Sequence, residues 1–147
     1  MQLIVSATDL VREWTASPRR VRLFLVGILA VLAYEAARAW YRPLVYATGF
    51  DDLHLADTLG NSLGTIATAT TFSSLFGRTA TQGLFVLRAS VMAVVVYELL
   101  HPLLGKPMDT LDLVATLVTG LACDIAYRIL CRDGLAPINS PGENACG

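Results

Sequence analysis

Four apolar stretches, residues 21–40, 53–76, 84–104 and 111–130, take up most of this 147-residue chain. Each approaches the ~20 residues that a helix needs to cross the hydrocarbon core of a bilayer. The connections between them are short, so consecutive helices must be neighbours in space. Each stretch also carries some charge, and the soluble alternative is a very apolar four-helix bundle. Composition separates the two, because 54% of the residues are hydrophobic and only 16% are charged. That mixture is too apolar for an ordinary soluble domain of this size.

The expected fold is therefore all-α, a bundle of four transmembrane helices in a domain at residues 21–133. Residues 1–20 form a cytoplasmic or interfacial segment. Within residues 3–14, Leu3, Ala7, Leu10, Val11 and Trp14 fall at helical spacing, which suits either a short interfacial helix or a frayed terminus. Residues 134–147 hold two prolines and three glycines among polar residues and read as a disordered cytoplasmic tail. Arg19-Arg20 before an apolar run resembles a secretory signal, but Glu35 interrupts that run and belongs to a pattern repeated later. Cys146 is second from last, which is not a prenylation box.

The net charge of −1 leaves no basic stripe to neutralise phosphates, so nucleic acid is excluded as a partner. Cys123, Cys131 and Cys146 match no metal-binding spacing or evident disulfide framework, and no cofactor is expected. The basic residues set an orientation. Arg12, Arg19, Arg20, Arg22, Arg78, Arg88, Arg128 and Arg132 fall at one side of the four spans, against Arg38, Arg42 and Lys106 at the other. The positive-inside tendency then puts both termini in the cytoplasm.

Acids gather at the opposite, outer ends. Asp51 and His54 are three residues apart, as are Glu98 and His101, and Asp109 and Asp112; a spacing of three keeps each pair on one helix face. The stripe continues inward through Asp57, Asn61, Gly64 and Thr68 on the second span, and through Thr116, Thr119 and Cys123 on the fourth. Polar groups at membrane depth face a bundle interior or a water-filled cavity. Gly60, Gly64, Ala67 and Gly120 would permit close helix approach on related faces. The pattern predicts a polar, partly hydrated centre opening outward, with Trp40, Tyr41, Tyr46 and Phe50 as an aromatic belt. Arg88 and Asp124 lie at matching depth near the cytoplasmic ends, as a structural ion pair or as part of a relay.

Residues 50–64 align without a gap on residues 108–122. The identities are Asp51 with Asp109, Leu53 with Leu111, Leu55 with Leu113, Thr58 with Thr116, Leu59 with Leu117, and Leu63 with Leu121. Tyr34-Glu35 and Tyr97-Glu98 repeat upstream, each followed three residues after the acid by Arg38 or His101. Two readings stand: shared leucine-rich composition, or two parallel helix-hairpin repeats about an axis along the membrane normal.

Glu98-x-x-His101, the Gly105-Lys106-Pro107 turn, and then Asp109-x-x-Asp112, Thr116 and Gly120 resemble the signature of VanZ-like membrane proteins. In that family an acid and a glutamine end one helix, a short basic turn follows, and an acid-to-asparagine-to-glycine run opens the next. Asp51-x-x-His54 looks like the family's aspartate-and-histidine element, and the resemblance spans residues 20–131. His101, Lys106 and Thr116 stand where glutamine, arginine and asparagine are usual. The resemblance implies a multi-pass protein of the bacterial inner membrane, linked in some members to resistance against lipoglycopeptides such as teicoplanin.

The candidate polar cleft comprises Asp51, His54, Asp57, Asn61, Glu98, His101, Asp109 and Asp112. Three readings remain open for it: helix capping with interfacial solvation, a ligand-binding cleft, and a metal site built on Glu98-x-x-His101. Three functions correspond. A non-enzymatic membrane protein would act on envelope or lipid-linked ligands, a small transporter would need to self-associate into a homo-oligomer, and a lipid-headgroup enzyme would use the outer carboxylates and histidines. The bilayer is the one partner common to all three.

Overall fold

The computed structural model describes residues 11–12, 14–105 and 109–132. All regular structure among them is helical. Helix α1 (Pro18–Ala36) runs through a π-helical turn (Ala37–Tyr41) into α2 (Arg42–Thr48). Helices α3 (Leu55–Phe76) and α4 (Ala80–Leu99) follow, then a 3₁₀ turn (His101–Leu104) and α5 (Thr110–Leu130). Pro18–Thr48, Ala80–Leu99 and Thr110–Leu130 are long and apolar enough to cross a membrane. Of the short helix expected at residues 3–14, only residues 11, 12 and 14 are described. The tail at 134–147, Cys146 and Lys106 lie outside the described residues.

Local chemistry accounts for most boundaries. Pro18 occupies the first turn of α1, where its missing N–H is no loss. Pro43 cannot donate to the carbonyl four residues back, and the chain answers just before it with a wider turn. There the Arg42 N–H reaches the Ala37 carbonyl, five residues away. Gly49 ends α2 at φ +64°, the left-handed geometry glycine adopts without strain. Helix α4 opens with a capping box, in which Gln82 N–H donates to the Thr79 hydroxyl at 3.2 Å and Thr79 N–H donates to the Gln82 side chain at 3.3 Å. Asp109 caps α5 by accepting from Leu111 N–H at 2.9 Å.

Helix α3 is the hub. It packs against α1, α4 and α5, and α4 also packs against α5, whereas α1 shares no comparable interface with α4 or α5. Between Thr58 and Thr71 no α3 residue is fully exposed. This explains why α3, although 22 residues long, is not among the apolar spans. Three helices pack on it, so it carries Gly, Ala, Ser and Thr, which let backbones approach. The other helices turn large apolar side chains outward: Leu29 and Leu32 on α1, Phe85 on α4, and Val118, Leu121 and Ile129 on α5 are all exposed. A belt of this kind suits lipid as its solvent.

Close approach is concentrated at glycines the sequence only partly identified. A Cβ on Gly27 would meet the Thr70 and Thr71 hydroxyls across the α1–α3 contact, and one on Gly120 would meet Val91 across α4–α5. A Cβ on Gly83 would strike the Tyr127 hydroxyl. Gly60 has only the Tyr34 ring at 3.4 Å, and Gly64 has open space.

Candidate functional site

The acidic residues separate into two groups, one structural at the surface and one buried. Asp51 accepts from Leu53 N–H at 3.0 Å, closing a turn before α3, and Asp109 is the α5 cap. Asp52 accepts from Ala56 N–H at 2.7 Å and from the Tyr41 hydroxyl at 3.0 Å, tying the π turn to the start of α3. Asp57 accepts from the Tyr46 hydroxyl. It also lies 3.5 Å from Arg42 and 3.6 Å from His54, whose side chain is 70% exposed. These contacts fasten α2 to α3. Trp40, Tyr46 and Phe50 are exposed beside them.

The second group lies between α4, its following turn and α5. Glu98 is 4% exposed, and its carboxylate is 3.2 Å from His101 Nδ1. Burial of the acid follows from the face α4 buries: Gly83, Leu87 and Ser90, then Val95 and Glu98, are its buried residues, with Val95 and Glu98 three apart on one face. On α5 the inward residues are Thr116, Gly120 and Tyr127. Asp112 lies one turn before Thr116 on that face. Asn61, Asp109, Asp57 and His101 are the polar groups close enough to Asp112 to act on it. Glu98, His101, Asp112 and Asn61 are thus brought to one end of the bundle by α4, α5 and α3.

Three buried atoms in this group have no hydrogen-bond partner: His101 Nε2, Asp112 Oδ1 and Thr116 Oγ1. Leaving a buried donor or acceptor unsatisfied costs about 1–3 kcal/mol each. Thr116 is completely buried, and its hydroxyl does not take the common route of bonding back to the carbonyl one turn earlier. The other buried hydroxyls do find partners. Thr65 and Thr70 donate to the carbonyls of Asn61 and Ile66 at 2.7 Å each, Ser73 to Gly83 at 2.8 Å, and Ser74 to Arg20 at 2.6 Å. The arrangement can receive a group that both donates and accepts hydrogen bonds. Among the described residues no set of three or more His, Cys, Asp or Glu is placed to hold a metal ion.

Sequence reasoning gave Thr116 a place on the polar stripe but not in the site. Arg19 and Arg20 entered it as topological charges and as a look-alike signal start, and Tyr127 did not enter it. At the far end of the bundle these three form a second polar assembly. Arg20 donates to the carbonyls of Ser74 and Leu75 at 2.8 and 2.9 Å, and Arg19 donates to those of Gly77 and Arg78 at 2.8 and 3.0 Å. Arg19 also reaches the Tyr127 hydroxyl at 2.9 Å, which donates in turn to Ala80 at 3.0 Å. The spacing of Thr116, Gly120, Cys123 and Tyr127 was the signal that could have placed the tyrosine. Nearby, Arg88 and Arg128 pair with Asp124 at 2.6 and 2.7 Å, the ion pair among the two readings offered by sequence.

No protein-family model matches the chain, and no curated protein or solved structure matches it either.

Proposed function

We propose that the chain is a four-helix protein of the bacterial inner membrane, VanZ-like in character, that binds an envelope or lipid-linked ligand non-enzymatically through the Glu98 end of the bundle. Three helices are apolar and long enough to span, and α3, of similar length and wrapped by them, is the fourth. Both termini are cytoplasmic, from the eight-to-three division of basic residues. The two hairpins are related as parallel repeats, on the identities between residues 50–64 and 108–122.

The observation that carries the function is the set of unsatisfied buried atoms around the Glu98–His101 contact. A hydroxyl or amide of a ligand would satisfy them, as peptide and sugar groups of envelope precursors and lipoglycopeptides can. An enzymatic reading has less support, because the Thr116 hydroxyl bonds to neither His101 nor Asp112, and an activated nucleophile needs a base within reach. A transport reading needs a polar path, whereas the buried hydroxyls of α3 are closed onto backbone carbonyls.

The test is expression in a teicoplanin-susceptible host. The intact protein is expected to raise the inhibitory concentration severalfold, and Glu98→Gln and Asp112→Asn to abolish that gain at unchanged folded membrane yield. No shift on expression of the intact protein, or a shift indifferent to both substitutions, overturns the proposal.

A further inference from the structure

Helices α1 and α5 both lean on α3 and meet each other chiefly where Arg19 reaches Tyr127, which leaves space between them. It forms an apolar cavity of about 310 Å³, walled by Leu23 and Val26 of α1, Ala122 and Ala126 of α5, and floored by Ile66 and Leu87. That volume reaches the lower end of the range of small-molecule sites, about 300–1,000 Å³. Leu23, Val26 and Leu130 continue into a recess of about 80 Å³ whose mouth carries Arg19 and Arg22. This is the end of the bundle opposite the Glu98 group.

Among the described residues no acid compensates the charge at this mouth. Arg19 spends its guanidinium on neutral oxygens, and among the described residues Arg22 forms no ion pair. The nearby acid, Asp124, is already held by Arg88 and Arg128. An apolar slot between two helices that ends at two arginines has the chemistry to take an anionic phospholipid. The geometry points to a specific site for one such lipid from the arginine-side leaflet, its phosphate against Arg19 and Arg22 and an acyl chain laid between α1 and α5. The site is separate from the ligand end proposed above and does not depend on it.

The full chain, purified in detergent, is incubated with phosphatidylglycerol or phosphatidylcholine of identical acyl chains and weighed intact by native mass spectrometry. A single phosphatidylglycerol is expected to survive gentle activation where phosphatidylcholine is lost. Arg22→Gln removes a side chain with no hydrogen bond or ion pair among the described residues and should weaken retention about fivefold, the worth of one arginine beside an anionic headgroup. Ala126→Phe and Ala122→Phe, each filling the slot from an exposed position, should abolish retention with helical content unchanged. Equal retention of the two lipids, retention indifferent to both phenylalanines, or a dimer that the phenylalanines dissolve would overturn the assignment, the last by making a second copy the occupant.

Discussion

Thr116 and Ser74 are both buried hydroxyls on helices, and they differ in one respect. Ser74 donates to the Arg20 carbonyl at 2.6 Å, whereas Thr116 has no partner. A buried hydrogen bond contributes about 0.5–1.5 kcal/mol, while an unpartnered hydroxyl contributes nothing that an isosteric methyl does not. Ser74→Ala is therefore expected to lower stability by about 1 kcal/mol. Thr116→Val should leave stability unchanged within about 0.5 kcal/mol, or raise it. Thermal unfolding of the two variants in the same detergent checks both. A marked loss in Thr116→Val would mean that the hydroxyl supports the fold and is not held in reserve for a ligand.

At the scale of elements, the joint between α1 and α3 matters most. The last carbonyls of a helix have no intrahelical donors, and at the end of α3 they are satisfied by arginines from the start of α1. Arg20 is 9% exposed and spans two carbonyls with its planar fork; a lysine presents one ammonium on a flexible stem. Arg20→Lys is thus expected to cost about 1.5–3 kcal/mol, the range for hydrogen bonds to a charged group. Hydrogen exchange should be faster at amides near residues 72–77 than in the intact protein. Unchanged exchange there would show that the cap is dispensable. The elements also show how two similar motifs diverge. Glu35 and Arg38 form a 3.8 Å pair with both side chains more than half exposed, whereas Glu98 and His101, at the same spacing, are 4% and 15% exposed. The difference lies in the neighbours: α1 packs chiefly on α3, while α4 is covered by both α3 and α5.

For the whole molecule, the two ends are chemically opposite. Arg19, Arg20, Arg78, Arg128 and Arg132 gather at one, and Asp51, Asp52, Asp57, Asp109 and Asp112 at the other. The positive-inside tendency predicts that reporters fused after Gly49 read out in the periplasm and reporters fused after Arg132 in the cytoplasm. A periplasmic signal at Arg132 would reverse the orientation and put the lipid slot in the outer leaflet.

The helical class, the approximate helix positions and the Asp109 cap were legible in the chain itself, whereas the Thr79–Gln82 capping box starts α4 four residues before the expected span. The legible features depend on runs of apolar residues and on caps, set by interactions within a few residues. The candidate site was legible only as a list. Glu98, His101 and Asp112 were named alongside Asp51, His54 and Asp109, because a spacing of three looks the same on a capped, solvated turn as on a buried face. Packing separated them by enclosing α3, burying one face of α4 and leaving Thr116 without a partner. The same packing explains why α3 reads as polar and why a slot is left between α1 and α5; it also puts Gly120 against Val91 while Gly64 faces open space. Burial belongs to the contacts among helices, which residue order along any one of them does not determine.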